Sequence, residues 1–145
     1  MKSCNLIHMD DFFLRPEQRT AKRYDEPGGN VDRERFTEEV LLPLKAGKTF
    51  SYRPFDCHTM EFSKPIMTEQ SEITIIEGTY SCHPALWDFY DLHIFLTVSS
   101  AKQLHRLAKR SGANLQVFRE KWIPLEERYF STYGIDMKCE LQFET

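Results

Sequence analysis

The chain has 145 residues, 41% hydrophobic and 28% charged, with a formal net charge of -3. That length suits one compact domain rather than two, and the balance of apolar and charged residues excludes a disordered tail. A chain with net negative charge lacks the basic surface that general nucleic-acid binding needs, and its longest apolar runs, Ile73 to Ile76 and Ile94 to Leu96, are too short to cross a bilayer.

Cys4 to Met9 reads as a short buried strand that ends on Asp10 and Asp11, so the chain begins inside a sheet. The opening residues Met1 to Asn5 show no apolar stretch and no cleavage site of a secretory signal, and a cytoplasmic location is expected. Leu14 to Asn30 is polar and closes on the turn formers Glu26-Pro27-Gly28-Gly29-Asn30. Asp32 then caps a helix carrying Phe36, Val40, Leu41 and Leu44, with Gly47 as its stop. Thr49 to Phe62 suggests two short strands around a turn. Ile73 to Ile76 is β-branched throughout and predicts a fully buried strand stopped by Glu77-Gly78. Pro84 opens a short helix through Trp87 to Tyr90, and Leu92 to Val98 returns to strand.

Ser99 or Ser100 caps a helix with an apolar stripe of Ala101, Leu104, Leu107 and Ala108, ended by Gly112. Leu115, Phe118, Trp122, Leu125 and Tyr129 follow helical spacing as core positions, with Pro124 kinking or restarting that helix. A last strand is expected near Met137 to Phe143. Alternation of strand and helix predicts an α/β domain with a mainly parallel sheet, in which ligands bind beyond the carboxyl ends of the strands.

The acidic strand ends are therefore the first candidates. Strand geometry sends Asp10 and Asp11 in different directions, so one of them faces a cleft. A carboxylate there can take a proton from a hydroxyl or hold the water shell of Mg²⁺; the alternative is a pair of solvated loop acids. Glu77, at a strand end, serves either a structural salt bridge or a metal or substrate. The four cysteines, Cys4, Cys57, Cys82 and Cys139, include no CxxC pair, and disulfides are not expected. Cys57-His58 and Cys82-His83 lack the spacing of a zinc site, and no Gly-x-Ser-x-Gly elbow occurs.

His8-Met9-Asp10-Asp11-Phe12-Phe13, Tyr24-Asp25-Glu26-Pro27, Tyr52-Arg53-Pro54-Phe55-Asp56, Ile75-Ile76-Glu77-Gly78, Tyr90 to Leu96 and Trp122 to Glu127 resemble, in order and over almost the whole chain, landmarks of the uridine kinase family. The resemblance implies a P-loop kinase-like three-layer α/β fold and an ATP-dependent kinase using Mg²⁺. It implies Asp10 as the base that activates the acceptor hydroxyl, Phe12 and Phe13 beside it, and Asp25 on the loop lining the acceptor pocket. Glu26 stands there in place of the family's usual histidine, which opens the choice of acceptor. By the same resemblance Tyr52 and Arg53 belong to a hairpin, about 49–62, that covers the acceptor, and Glu77 lies near Mg²⁺, reaching it through water. Arg106 and Arg110 resemble the arginines of a lid, about 104–120, that neutralise the transferring phosphoryl group. Taken alone, their helix face reads equally as solvated surface, and Lys109 is left unassigned.

The family's Gly-x-x-x-x-Gly-Lys-Ser/Thr loop, which grips ATP, is absent from the sequence; Gly28-Gly29 has neither the preceding strand nor the following lysine and reads as a turn. The resemblance starts at the family's second strand, so residues 1–145 read as a single, N-terminally incomplete domain without the central strand between those at Ile73 and Ile94. Met1 is then an internal methionine, the fold rearranges, or a partner supplies the missing part. The expected function is phosphoryl transfer to a hydroxyl of a nucleoside or similar small molecule, this chain carrying the acceptor site. Two alternatives are a non-catalytic acceptor-binding or interaction protein, and a kinase for another acceptor such as pantothenate or a sugar phosphate. Expected partners are the small-molecule acceptor, and ATP only where the loop is supplied, with no nucleic acid and no membrane; homo-oligomerisation is left open.

Overall fold

The computed structural model describes residues 3–145, apart from the side chains of residues 111 and 113. Met1 and Lys2, on which the reading of the chain start rests, lie outside the described residues. The chain divides into two compact units, Met1–Phe89 and Tyr90–Thr145.

In the first unit β1 (Cys4–His8) pairs in parallel with β6 (Ile73–Glu77), in a register that sets Leu6 against Ile75 and His8 against Glu77. The polypeptide between them builds an antiparallel elaboration. β2 (Phe50–Tyr52) pairs with β5 (Ile66–Thr68), and nested between these lies a tight hairpin of β3 (Phe55–Asp56) and β4 (Glu61–Phe62). The hairpin region expected to end at Phe62 thus reaches Thr68, because its outer ladder is closed by a strand with little alternation of its own.

A helix runs from Arg33 to Lys45 with a π turn over Thr37–Leu41. Asp32 caps it, accepting from the Arg35 backbone N–H at 3.1 Å. Pro43 removes a donor and crowds the carbonyl four residues back, and a widened turn just before it relieves that crowding. The buried residues Phe12, Phe36, Val40, Leu41 and Tyr52 form the core between this helix and the strands. The loop leading into the helix is organised by Arg23, whose guanidinium donates to Gly29 O at 2.7 Å, Val31 O at 2.8 Å and the Glu34 carboxylate. A Cβ on Gly29 would lie 1.9 Å from the Arg23 carbonyl, so that loop admits glycine alone there.

In the second unit β7 (Ile94–Thr97) pairs in parallel with β8 (Leu141–Glu144). Ser99 caps the helix Ser100–Ser111 by accepting from the Lys102 N–H. Leu115 to Tyr133 is one helical run, again with a π turn, Phe118–Trp122, before Pro124. The proline therefore widens the helix without breaking it. Met137 does not open the last strand. Gly134, at φ 58°, ends one helix and starts the short helix Ile135–Lys138, which holds Met137; the strand follows from Leu141.

The β-branched run of β6 is not buried on both sides. Ile73 and Ile75 are each 49% exposed and Leu6, on the same face of β1, is 54% exposed, whereas Ile7 on the opposite face is buried. Among the described residues, β1 is the only strand paired with β6, and β8 the only one paired with β7. No helix of the described residues is long and apolar enough to cross a membrane.

Candidate functional site

The carboxyl ends of the parallel strands β1 and β6 bring together His8, Asp10, Asp11 and Glu77. Register makes the first contact: His8 and Glu77 are partners in the ladder and point to the same exposed face, where His8 Nδ1 hydrogen-bonds Glu77 Oε1. That bond, reinforced by the charges of Glu77, Asp11 and Asp10, raises the pKa of His8 above its ordinary value of 6.5. Glu77 is thus engaged in an ion pair at an exposed strand end, not fixed in a buried one. Gly78 follows at φ 138°, and a Cβ there would come within 2.7 Å of the Met9 Cβ. Close approach of the two strand ends is what requires glycine.

Asp10 and Asp11 lie not on the strand but in a 3-10 turn, Met9–Phe12, and it is this turn, not strand alternation, that sends them apart. Asp10 is exposed; Asp11 is half-buried, and burial is the main cause that raises its pKa. Asp11 hydrogen-bonds the buried phenol of Tyr52, whose pKa is raised first by burial and then by the Asp11 charge, so Tyr52 stays protonated and donates. Arg35 Nη2 donates to the Asp11 carbonyl at 3.0 Å and Nη1 to the Arg53 carbonyl at 2.9 Å. One guanidinium therefore ties the acidic turn to the hairpin strand.

Aromatic rings hold that guanidinium in place. Phe12 is fully buried, edge-on to Phe36 at 4.9 Å and tilted against Tyr52 at 5.3 Å, with Arg35 4.2 Å from its ring centre. It braces Tyr52 and Arg35 from behind and presents no face to solvent. Phe13 makes an antiparallel bridge to Val31. Arg53 is exposed, its guanidinium 4.3 Å from the centre of the Phe62 ring. Asp25 is the exposed last residue of the helix Ala21–Asp25; the neighbouring Glu26 is bound at 2.5 Å by Arg33. Near Arg33 and Glu26 in space, His83 is buried, which pushes its pKa down to about 4 and keeps the ring neutral near pH 7.

Arg106 and Arg110 belong to the second unit, exposed on the helix Ser100–Ser111, where Arg106 Nη1 donates to Thr145 Oγ1 at 3.1 Å. Sequence reasoning passed over His8, Arg23 and Arg35. His8 carried a readable signal, since it lies two residues before Asp10 on a strand of period two. Arg35 carried only its place three residues after the cap Asp32.

No family model matches the chain, and no curated protein matches it. Among solved structures it is similar to a possible uridine kinase from Bacillus stearothermophilus, with a TM-score of 0.74 and 20% identity, over 98% of this chain and 72% of that one. At that identity the likeness shows the fold: a mixed α/β, P-loop kinase-like fold with parallel strand pairs.

Proposed function

We propose that this chain belongs to the uridine kinase-like group and forms the acceptor side of an ATP-dependent phosphotransferase acting on a hydroxyl of a small molecule. The observation that carries the reading is the meeting of His8, Asp10, Asp11 and Glu77 at the carboxyl ends of two parallel strands, in a chain with a kinase-like fold. Asp10 is the base. It is the exposed carboxylate of the pair, whereas Asp11 is occupied by Tyr52. The acceptor hydroxyl gives its proton to Asp10 as its oxygen bonds to the γ-phosphorus and the bond to ADP breaks.

Tyr52 and Arg53 flank the acceptor, Phe12 and Phe13 fix the turn that carries Asp10, and Asp25 stands on the pocket loop. Among the described residues no group of three or more His, Cys, Asp or Glu could hold a metal ion, so the donors do not fit a resident cage. They do fit Mg²⁺ that arrives on nucleotide phosphates and keeps most of its water, because one strand-end carboxylate, Glu77, reaching the ion through water, is all the protein would then supply. When bound, that ion neutralises phosphate charge.

A second reading is an acceptor-binding protein without catalysis. Calorimetry with hydroxyl compounds (uridine, cytidine, ribose 5-phosphate, glycerate), with and without ATP-Mg²⁺, alongside an ADP-release assay, separates the two. The kinase reading expects a chain that also carries the Gly-x-x-x-x-Gly-Lys-Ser/Thr loop to release ADP only in the presence of acceptor, and Asp10→Asn in that chain to be about 10²-fold slower with nearly unchanged acceptor affinity. Acceptor binding without turnover by that loop-bearing chain supports the second reading. Failure of every acceptor to bind removes both.

A further inference from the structure

Around the β3–β4 hairpin lies a group of arginines that proton abstraction at Asp10 does not use. Three guanidiniums converge on the Phe62 ring, with Arg53, Arg35 and Arg15 at 4.3, 5.2 and 5.9 Å from its centre. Arg35 is neutralised by Glu39 at 3.2 Å, and Arg15 lies 3.3 Å from the exposed Glu17. Arg53 has no carboxylate within ion-pair distance among the described residues. Arg19 has none either. Its Nε donates to Leu14 O at 3.0 Å, while Nη2 faces only two sulfurs, Cys57 Sγ at 3.8 Å and Met60 Sδ at 3.6 Å, which are weak acceptors.

The β3–β4 hairpin carries two carboxylates: Asp56 is taken up by the turn itself, accepting from the His58 and Thr59 N–H groups, and the exposed Glu61, its ladder partner, is within ion-pair distance of neither Arg19 nor Arg53. Met60, which carries the sulfur against Arg19, sits at φ 58°, a left-handed conformation that an L-residue holds under strain. This cationic patch adjoins the turn that carries the proposed base, because β3 packs against the 3-10 turn Met9–Phe12.

Arg53 against Phe62 and Arg19 against Met60 are the two cations at this hairpin without a matching carboxylate among the described residues, and an anion relieves the repulsion between such charges. A neutral nucleoside has no group that requires two unmatched guanidiniums. We infer that the acceptor of this site is an anionic hydroxyl compound, whose phosphate or carboxylate is held by Arg53 beside Phe62 and Arg19 beside Met60 while its hydroxyl faces Asp10. The inference rests on the acceptor-site reading above and narrows it to a charge class.

The test measures binding by the full chain and needs no turnover, so it is independent of the kinase assay. Ribose 5-phosphate, glycerate, inorganic phosphate, uridine and ribose are titrated at low and at 0.5 M salt. Expected are at least tenfold tighter binding of ribose 5-phosphate or glycerate than of ribose and uridine, weakening at high salt, and a loss of about tenfold in Arg53→Gln and in Arg19→Gln. Preference for ribose 5-phosphate over glycerate assigns the group as phosphate; the reverse assigns carboxylate. Lys138→Gln, at an exposed position of the second unit, retains full affinity. Arg53 is exposed and its replacement leaves the core intact, which a preserved melting midpoint checks. Uridine binding as tightly as the anions, or Arg53→Gln without effect, overturns the inference and leaves the acceptor site standing. No binding by any probe overturns the acceptor site with it.

Discussion

His8 shows how one residue acquires a role from register alone. Its ring is bonded to Glu77, and Asp10 and Asp11 add attraction, so its folded pKa lies above the value of 6.5 it has in the unfolded chain. The sign follows from linkage: the stabilisation of folding by the charged ring is complete below pH 6.5 and is lost as pH rises through the higher folded value. Titration of the His8 ring by NMR is expected to give a midpoint above 6.5, and Glu77→Gln, which removes the largest cause, to move it back down. A wild-type midpoint at or below 6.5 would show that the pair does not form in solution. The acids of this cluster were legible in the sequence because strand ends and acidic stops are local signals. The histidine was not, because its partner is 69 residues away and only the parallel pairing of β1 with β6 brings them together.

At the scale of elements, most boundaries follow from punctuation that a single sequence displays. Asp32 and Ser99 cap helices at the expected places, and Gly112 follows the last residue of Ser100–Ser111. The hidden features depend on contacts between elements. Glu77-Gly78 reads locally as a polar stop, yet the glycine is there because the end of β6 approaches Met9 too closely for any side chain. Gly78→Ala combines that clash with a φ of 138°, and urea denaturation is expected to show a loss of about 2–3 kcal/mol. A loss under about 0.5 kcal/mol would mean that the strand end gives way easily and does not hold the His8–Glu77 geometry. The nested hairpin had the same kind of invisibility. Ile66–Thr68 has no alternation of its own, and its partner β2 determines its place.

For the whole molecule, the misjudged property was burial. Four β-branched or threonine residues in a row suggest a strand covered on both faces, as parallel sheets are in α/β folds. In the first unit one face of the β1–β6 pair instead leaves Leu6, Ile73 and Ile75 about half exposed, and in the second unit Ile94, Leu96, Leu141 and Phe143 share an exposed face of β7–β8. No sequence pattern reports which face lacks a cover, because the pattern records only that cover is needed. Contiguous apolar surface of this kind binds hydrophobic probes and promotes association. The native chain is therefore expected to enhance the fluorescence of a hydrophobic-surface dye below its melting transition. Replacing Leu6 and Ile75 together by lysine is expected to reduce that signal while keeping the melting midpoint within a few degrees, since residues already half in water give up little burial. Dye binding that survives this double change, and a further Leu96→Lys change in the second unit, would show that neither face is open in solution.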